Sequence, residues 1–269
     1  MCGICGFTWE DKEILKQMMR SISHRGPDQN GTFFEKGVSL GHLRLSIIDL
    51  SPAGKQPMFN EDGDICVVFN GEIYNYRELR TELEKKGHRF ASQTDTEVIV
   101  HAYEEYGEKC VEKFNGMFAF AIWDSKKKRL FLARDRLGVK PLYYHFKNGQ
   151  LIFASEMKAL LQHEIARKMN SSCLQQLIAY AYPVNGDTLL EGIVELLPGH
   201  TLTFSNGKID LRKYWDLEVR ETNFSEKQYV DTLRSLLEAS VNRRLISDVP
   251  LGLTLSGGLD SSMLVALAS

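Results

Sequence analysis

The chain has 269 residues, of which 43% are hydrophobic and 25% charged, a composition typical of globular proteins with about two domains. Lys and Arg total 33 against 35 Asp and Glu, and the resulting net charge of −2 predicts binding to neither nucleic acid nor a membrane. No apolar run reaches the ~20 residues that span a bilayer. No secretory leader is predicted, and five scattered cysteines predict no disulfide framework, so we expect a reduced, cytoplasmic protein.

Apolar patterning predicts strands near the start of the chain, at residues 3–8, 43–49 and 65–69. Two helices follow. The first begins after Asn75 and stops at Gly87, and the second opens at residues 94–97, whose Thr-Asp-Thr-Glu sequence fits a capping box.

Turn residues then predict hairpins in the middle of the chain. They join 118–123 to 129–133, 142–146 to 151–154, and 200–204 to 208–214. Helical patterns lie between them, at 156–161 and 172–180.

The last part of the chain has a different pattern. A polar stretch at 218–223 is predicted to be part of a linker, and Ser225 then caps an amphipathic helix. An apolar strand is predicted at 251–255, followed by a glycine-rich loop at 256–262 and the start of another helix.

Cys2 is the first residue with distinctive chemistry. Because residue 2 is small, we expect Met1 to be removed, which would leave Cys2 with a free α-amine beside its thiol. An α-amine has a reference pKa of about 7.7–8.0, so part of it is neutral near pH 7 and can accept a proton. One residue would then provide both a nucleophile and its base.

Cys2 also begins a C-x-x-C sequence with Cys5, which is found in zinc and redox sites. A zinc site needs a second Cys or His pair, and the remaining cysteines are isolated. A thioredoxin-like pair normally lies between a strand and a helix, not at residue 2. A redox or zinc module is therefore the minor alternative, and we predict no metal ligands.

Several blocks along the chain carry a family resemblance. In order, they are CGICG from Cys2, HRGPD from His24, RLSIID from Arg44, NGEIYN from Asn70, GMFAFA from Gly116, RDRLG from Arg134, SEMKAL from Ser155 and SGGLDSS from Ser256. Together they resemble the glutamine-hydrolysing asparagine synthetases, whose first domain is a class II, N-terminal-nucleophile glutamine amidotransferase. The resemblance covers essentially the whole chain.

The resemblance implies an α+β fold with two domains. Residues 2–205 should form a four-layer α-β-β-α N-terminal-nucleophile hydrolase sandwich, and residues 206–223 a linker. Residues 224–269 should begin a Rossmann-like α/β ATP-pyrophosphatase domain. Because this second domain has only one predicted strand, we expect the chain to be a fragment or one part of a split protein.

The resemblance also implies a glutamine site. Cys2 is its nucleophile, and Asn70 and Gly71 form the oxyanion hole. Arg44 is expected to hold the substrate carboxylate through two parallel hydrogen bonds, and Asp95 to accept its ammonium group. The remaining expected lining residues are Leu45, Ser46, Ile47, Ile48 and Glu72. No histidine base is required, so His24 and His42 need not be catalytic, and His24 is predicted to have a structural role in its loop.

The expected chemistry is hydrolysis of glutamine to glutamate and ammonia through a thioester on Cys2. In the full-length enzymes the ammonia amidates aspartate in a reaction that needs ATP and Mg²⁺, whereas glutamine hydrolysis needs no cofactor. An amidotransferase for a different adenylated carboxylate is the second hypothesis. A homodimer is one oligomeric state that the resemblance allows.

The glycine-rich loop is the expected nucleotide site. Successive backbone N–H groups at a helix N-terminus favour an anion, and the loop lacks the lysine of a Walker A sequence. By resemblance, it holds the pyrophosphate part of ATP, with Asp260 near Mg²⁺ and Leu255 near the nucleotide. The other expected ATP-binding residues are Ser256, Gly257, Gly258 and Ser261.

Overall fold

The computed structural model describes residues 1–219 and 221–269. Arg220, within the predicted linker, lies outside the described residues. The strands are β1 Gly3–Phe7, β2 Gln29–Glu35, β3 Val38–Arg44, β4 Met58–Phe59, β5 Ile65–Ile73, β6 Gly116–Asp124, β7 Arg129–Arg134, β8 Tyr143–Lys147, β9 Gln150–Ala154, β10 Val194–Glu195, β11 His200–Ser205 and β12 Lys208–Lys213. The helices are α1 Lys12–Ser21, α2 Tyr76–Lys85, α3 Glu97–Tyr106, α4 Cys110–Lys113, α5 Met157–Leu160, α6 Ser171–Tyr180, α7 Glu226–Arg244 and α8 Leu259–Ala268.

The strands form two antiparallel sheets of six strands each. The first has the order β10-β8-β9-β1-β3-β2, and the second has the order β12-β11-β7-β6-β5-β4. Because side chains alternate along a strand, the two faces of β5 serve different cores. Cys66 and Val68 pack toward the first sheet, whereas Val67 and Phe69 pack toward helices.

Three buried clusters separate four layers. Leu15 and Met18 of α1 pack on the first sheet, and the two sheets pack on each other through residues such as Ile4 and Val68. Leu79 of α2, with residues of α3 and α4, covers the outer face of the second sheet. The predicted four-layer α-β-β-α sandwich is therefore confirmed.

The predicted hairpins and the capped helix α7 are also confirmed. Each predicted strand pair forms an antiparallel ladder, and Ser225 makes a capping box with Gln228 at the start of α7. The third hairpin has a consequence for the domain boundary. β12 pairs along its full length with β11, so Lys208–Lys213 of the segment 206–223, predicted as a linker, form a strand of the second sheet.

Two local predictions at the first pair of helices are wrong. Asn75 precedes α2 but does not cap it, because its side chain bonds to Lys113 and Asn115 instead. Residues 94–97 form no capping box. The Glu97 carboxylate instead accepts from the backbone N–H groups of Ala91 and Ser92, which precede the helix.

Two predicted strands also differ. β3 ends at Arg44 rather than at residue 49, because the chain curls round the Arg44 side chain, which bonds to three carbonyls of the following loop. Residues 251–255 form no strand, since no strand of the described residues lies beside them to complete the ladder. Leu251, Leu253 and Leu255 are all exposed.

The C-terminal segment contacts the sandwich through the end of α7. Val241 is buried, the Arg244 guanidinium lies 4.9 Å from the centre of the Tyr74 ring, and Ile246 packs on the helix-covered core. Leu233 and Leu236, earlier in the helix, are more than half exposed. Among the described residues, no helix is long and apolar enough to cross a membrane.

Candidate active site

A pocket of about 220 Å³ lies where the N-terminus meets the ends of β3 and β5. It is lined by Met1, Cys2, Arg44, Leu45, Ile47, Ile48, Gln56, Phe69, Asn70, Gly71, Glu72, Thr94, Asp95, Thr96, Met117 and Lys140. This volume is below the range of drug-sized ligand sites and suits a small metabolite. All residues predicted for glutamine lie here except Ser46, whose backbone N–H donates to Asp28 Oδ2 at 2.8 Å.

Cys2 is held at the pocket wall by its main chain and its sulfur. Arg25 Nε donates to the Cys2 carbonyl at 2.8 Å, and the Leu45 N–H donates to the Cys2 Sγ at 3.4 Å. Burial raises the pKa of the thiol, so the group needs a base to become a thiolate near neutral pH. The α-amine at the pocket belongs to Met1 in this structure, and burial lowers its pKa.

Asn70 provides an unpaired donor in this pocket. Its side chain is buried, and its Nδ2 group bonds to no described residue. Leaving a buried donor unpaired costs about 1–3 kcal/mol, so such groups are uncommon away from functional sites. The donor is therefore available to a ligand atom that carries negative charge.

The backbone N–H of Gly71 provides a second donor. Along β5, N–H groups at alternate positions point to the same edge of the strand. Phe69 N–H donates to Gln56 Oε1 at 2.7 Å and Ile73 N–H to Asp95 Oδ2 at 2.9 Å, so both point away from β6. Gly71 lies between them with the same orientation, and no described side chain or loop carbonyl accepts from its N–H.

Asp95 is the buried carboxylate of the pocket. It accepts from the Ile73 N–H and from the Thr94 hydroxyl, the latter at 3.2 Å. Burial, reinforced by the nearby Glu72, raises the pKa of Asp95 to about 7. A cationic group bound beside Asp95 would stabilise the charged form and lower the pKa of the carboxyl group toward its usual value.

The two terminal NH2 groups of the Arg44 guanidinium are already hydrogen-bonded to protein in this structure. Its NH1 group donates to Gln29 Oε1 and the Ser51 carbonyl, and its NH2 group to the carbonyls of Ile48 and Asp49. These bonds shape the loop that follows β3 and forms one pocket wall. Gly54 packs so closely on the guanidinium that an added Cβ would lie 2.0 Å from NH2.

The two histidines near the site have structural partners. His42 is fully buried with its Nε2 atom 3.0 Å from the Phe69 carbonyl, and burial lowers its pKa to about 3. It is therefore neutral and outside the pocket lining. His24 Nε2 lies 2.8 Å from Glu156 Oε1, which also accepts from Arg25. This ion-pair cluster supports the arginine that holds the Cys2 carbonyl.

Comparison with known proteins identifies the family. The glutamine amidotransferase domain family matches residues 1–215. The chain belongs to this family. The asparagine synthase family matches residues 232–269 of the same amidotransferase chain.

Individual relatives agree with this assignment. The chain is 40% identical over 279 residues to asparagine synthetase [glutamine-hydrolyzing] 3 of Bacillus subtilis, covering 100% of this chain and 45% of that protein. It is 35% identical over 291 residues to amidase chry2 of Gibberella zeae, covering 100% of this chain and 43% of that protein. The amidotransferase chain thus spans about half the length of these curated relatives.

A solved structure supports the fold alone. Glutamine phosphoribosylpyrophosphate amidotransferase of Bacillus subtilis superposes with a TM-score of 0.59 at 16% identity, covering 99% of this chain and 64% of that chain. At this identity the likeness shows that the sandwich architecture is shared. It carries no conclusion about the substrates of this chain.

Sequence reasoning missed several lining residues of the pocket. Besides Met1, the additional lining residues are Gln56, Phe69, Thr94, Thr96, Met117 and Lys140. The position of Lys140 in the sequence could have indicated that it lies near the site, because it is two residues beyond the RDRLG block. Asp135 of that block is buried and accepts from the Lys140 N–H at 3.0 Å, which holds this lysine at the pocket. Gln56 had no signal, since it lies in an irregular loop.

The expected ATP loop lies at the start of α8. The Ser256 and Ser261 hydroxyls are 2.9 Å apart, Gly257 has a φ of +83°, and Gly258 precedes the helix with no side-chain cap. The uncapped N–H groups of the first helical turn suit an anion. Leu255 and Asp260 are exposed, so the described residues supply donors for phosphate but no enclosing wall for a base.

Proposed function

We propose that this chain hydrolyses glutamine to glutamate and ammonia with Cys2 as the nucleophile. The observation that carries the proposal is a pair of donors beside this thiol, Asn70 Nδ2 and Gly71 N–H, neither paired with a described residue. Two such donors suit the oxyanion of a tetrahedral acyl intermediate. Membership of the glutamine amidotransferase family supports the choice of substrate.

The first half of the reaction forms a thioester. After removal of Met1, the Cys2 α-amine takes the thiol proton, and the sulfur attacks the side-chain carbonyl carbon of glutamine. The carbonyl oxygen becomes an oxyanion held by Asn70 and Gly71. The protonated α-amine then gives its proton to the amide nitrogen, the C–N bond breaks and ammonia leaves.

The second half regenerates the thiol. The neutral α-amine takes a proton from water, which attacks the thioester carbonyl through a second tetrahedral oxyanion in the same hole. The C–S bond breaks, the amine returns the proton to sulfur, and glutamate leaves. His42 and His24 take no part, consistent with their structural contacts.

Substrate orientation follows from the charges around the pocket. We assign the glutamine ammonium to Asp95, whose buried carboxylate gains a cationic partner. Arg44 is proposed to attract the α-carboxylate, either by exchanging loop carbonyls for it or through its Nε–H, which bonds to no described residue. Backbone groups of the loop near Leu45, and Glu72 in the pocket wall, are proposed to contact the bound glutamine as well.

We further propose that the ammonia serves ATP-dependent amidation of a carboxylate in a longer protein, with aspartate as the acceptor. The match to the asparagine synthase family and the 40% identity to an asparagine synthetase support this proposal. Within the chain, the loop 255–261 would bind ATP phosphates, and Asp260 is a candidate neighbour for Mg²⁺. Adenylation by ATP would activate the acceptor carboxylate for attack by ammonia.

A different acceptor carboxylate is the second candidate. It is favoured by the 35% identity to amidase chry2, which covers this chain end to end. The two candidates share every step at Cys2, because the same nucleophile and donors release the ammonia in both. They differ only in the acid that receives ammonia.

The proposal is tested with purified chain, glutamine, aspartate and Mg·ATP, measuring glutamate, asparagine and pyrophosphate separately. We expect glutamate but neither other product, because the exposed loop alone competes poorly with water for the phosphates. Cys2→Ala should abolish glutamate release, whereas the buried Cys5→Ala should retain it. Glutamate release by folded Cys2→Ala would overturn the assignment of the nucleophile. Asparagine formation without any partner would overturn the assignment of an incomplete second site.

A further inference from the structure

Two histidines and two glutamates converge at the end of the second sheet, outside the active-site pocket. They are Glu61 in the turn between β4 and β5, His88 after α2, and His101 and Glu104 on successive turns of α3. One ligand atom from each of the four lies within 4.8 Å of the others. We propose that these residues form a binding site for a divalent transition metal ion, with zinc as the best match.

The spacing of the ligand atoms suits four-coordinate zinc. Zinc–nitrogen and zinc–oxygen bonds of about 2.0–2.2 Å place tetrahedral ligand atoms roughly 3.3–3.6 Å apart. His101 Nδ1 lies 3.3 Å from Glu61 Oε2 and 3.9 Å from Glu104 Oε2, and His88 Nδ1 lies 3.6 Å from Glu104 Oε2. These distances are longer than direct hydrogen bonds but close to the edges of that tetrahedron.

His101 is an independent indication of a ligand. Its side chain is 1% exposed, yet neither ring nitrogen has a hydrogen-bond partner among the described residues. A buried imidazole without partners costs free energy, and a metal bond would satisfy its Nδ1 atom. The oxygens that face it are not otherwise engaged, because Arg89 N–H and Asn60 Nδ2 bond the opposite oxygens of Glu61 and Glu104.

Carboxylates also stand behind both imidazoles. Metal-bound histidines usually donate the second ring N–H to a carboxylate, which orients the ring and fixes its tautomer. Glu97 Oε1 lies 3.7 Å from His101 Nε2, and Glu105 Oε2 lies 3.5 Å from His88 Nε2. Glu97 is itself fixed by backbone donors at Ala91 and Ser92.

The charge of the four side chains and their access to solvent also favour a bound divalent ion. Two neutral imidazoles and two carboxylates balance the charge of one M²⁺ ion, whereas without an ion two carboxylate oxygens face each other within 4.8 Å. Imidazole with carboxylate suits zinc and its transition-metal neighbours better than Mg²⁺ or Ca²⁺, which prefer all-oxygen sites. Glu61 and Glu104 are each about one-third exposed, which gives an ion a path from solvent.

A metal ion bound here would have a structural role, because it would link three segments of the chain. It ties the turn before β5 and the connection after α2 to α3, and Thr94 to Thr96, just before α3, line the active-site pocket. No open coordination position is needed for this role, and the four protein ligands fill a tetrahedron. The proposal is independent of the chemistry at Cys2.

The test uses untagged Cys2→Ser chain, so that the thiol at the pocket wall cannot bind metal. Metal-free protein is titrated with Zn²⁺ against a chromophoric chelator, and with Co²⁺ to record the visible bands of four-coordinate cobalt. We expect one equivalent of either ion. His88→Asn and Glu104→Gln should each weaken zinc binding at least tenfold, and Glu105→Gln should weaken it by about 10–100-fold.

Matched controls are His200→Asn and Glu84→Gln, which lie outside the cluster and should bind zinc as the parent does. Zinc should also raise the unfolding temperature of the parent and the controls, but not of His88→Asn or Glu104→Gln. Absence of stoichiometric zinc binding in the parent would overturn the proposal. Equal zinc affinity in the parent and both ligand variants would overturn it as well.

Discussion

Replacing Asn70 by alanine removes one of the two N–H donors beside Cys2 and leaves the Gly71 donor in place. Loss of one oxyanion-hole donor costs about 2.7–4 kcal/mol of transition-state stabilisation, which corresponds to about a 10²–10³-fold fall in kcat. The KM for glutamine should change little, because the donor forms a weaker hydrogen bond with the neutral carbonyl of the bound substrate than with the oxyanion.

The same variant should not lose stability in proportion. Asn70 Nδ2 has no partner among the described residues, so the substitution breaks no bond to protein at that atom. Removing a buried, unpaired amide relieves a desolvation cost of about 1–3 kcal/mol and offsets the packing lost with the side chain. We expect the free energy of unfolding of Asn70→Ala to stay within about 1 kcal/mol of the parent value.

Initial rates of glutamate release and urea unfolding measure the two effects on the same preparations. Asn170→Ala is the matched control, because Asn170 Oδ1 caps α6 by accepting the Cys173 N–H at 3.2 Å, outside the active-site pocket. It should lose about 1 kcal/mol of stability and keep its kcat. A kcat for Asn70→Ala within threefold of the parent would refute the assigned oxyanion hole, as would an effect confined to KM.

Three further predictions concern the same pocket. Arg44→Lys should raise the KM for glutamine about 10–100-fold and lower stability, because an ammonium group cannot replace four guanidinium hydrogen bonds; an unchanged KM in steady-state assays would mean a purely structural role. The dissociation constant of glutamine for a Cys2→Ala chain should rise about tenfold per unit as pH falls below 7, because Asp95 becomes protonated and loses its attraction for the ammonium. Calorimetry with a glutamine analogue that lacks the α-amine should show no such rise. A chain that retains Met1, identified by mass spectrometry, should release no glutamate, since its Cys2 nitrogen is an amide.

Local signals predicted the parts of the fold that form locally. The hairpins joining β6 to β7, β8 to β9 and β11 to β12 need only alternating side chains and short turns, and both are readable in the chain. The capping box at Ser225 likewise uses two residues three apart. The strand order within each sheet was beyond such reading, because β1 pairs with β3 and with the distant β9.

Predictions failed where a distant or irregular contact decides the conformation. The apolar run at 251–255 has strand periodicity, but no neighbouring strand among the described residues supplies its hydrogen bonds. Glu97 has the right spacing for a capping box, but the loop before it presents the N–H groups of Ala91 and Ser92 to its carboxylate. Sequence spacing cannot show which of two backbone donors a carboxylate will bond.

For the candidate site too, some residues were predictable from the sequence and others were not. Resemblance located Cys2, Asn70, Gly71 and Asp95, all of which the fold brings to one pocket. It did not indicate that the donors of Arg44 are occupied by the following loop. The His–Glu cluster was equally hidden, because its residues come from three segments with no recurrent spacing.

Asp248 links the segment matched by the asparagine synthase family to the wall of the glutamine pocket. Its carboxylate Oδ2 accepts the Asp49 N–H at 2.7 Å, and its own N–H donates to the Ile47 carbonyl at 3.0 Å. Ile47 and Ile48 line the pocket, so these two bonds hold the substrate loop from outside. A hydrogen bond to a charged group contributes about 1.5–3 kcal/mol.

Asp248→Ala should therefore loosen the loop, so that glutamine must order it on binding. If the competent loop conformation falls to about one-tenth of the population, the KM rises about tenfold while kcat, set at Cys2, stays unchanged. Asp231→Ala, on the exposed surface of α7, is the control and should match the parent. An Asp248→Ala chain with the parent KM would show that the loop is ordered without the Asp248 carboxylate, by the Arg44 hydrogen bonds and the backbone bond from residue 248 to Ile47. A raised KM would mean that the segment matched by the asparagine synthase family influences glutamine binding through the Asp248 carboxylate and its hydrogen bond to the pocket loop.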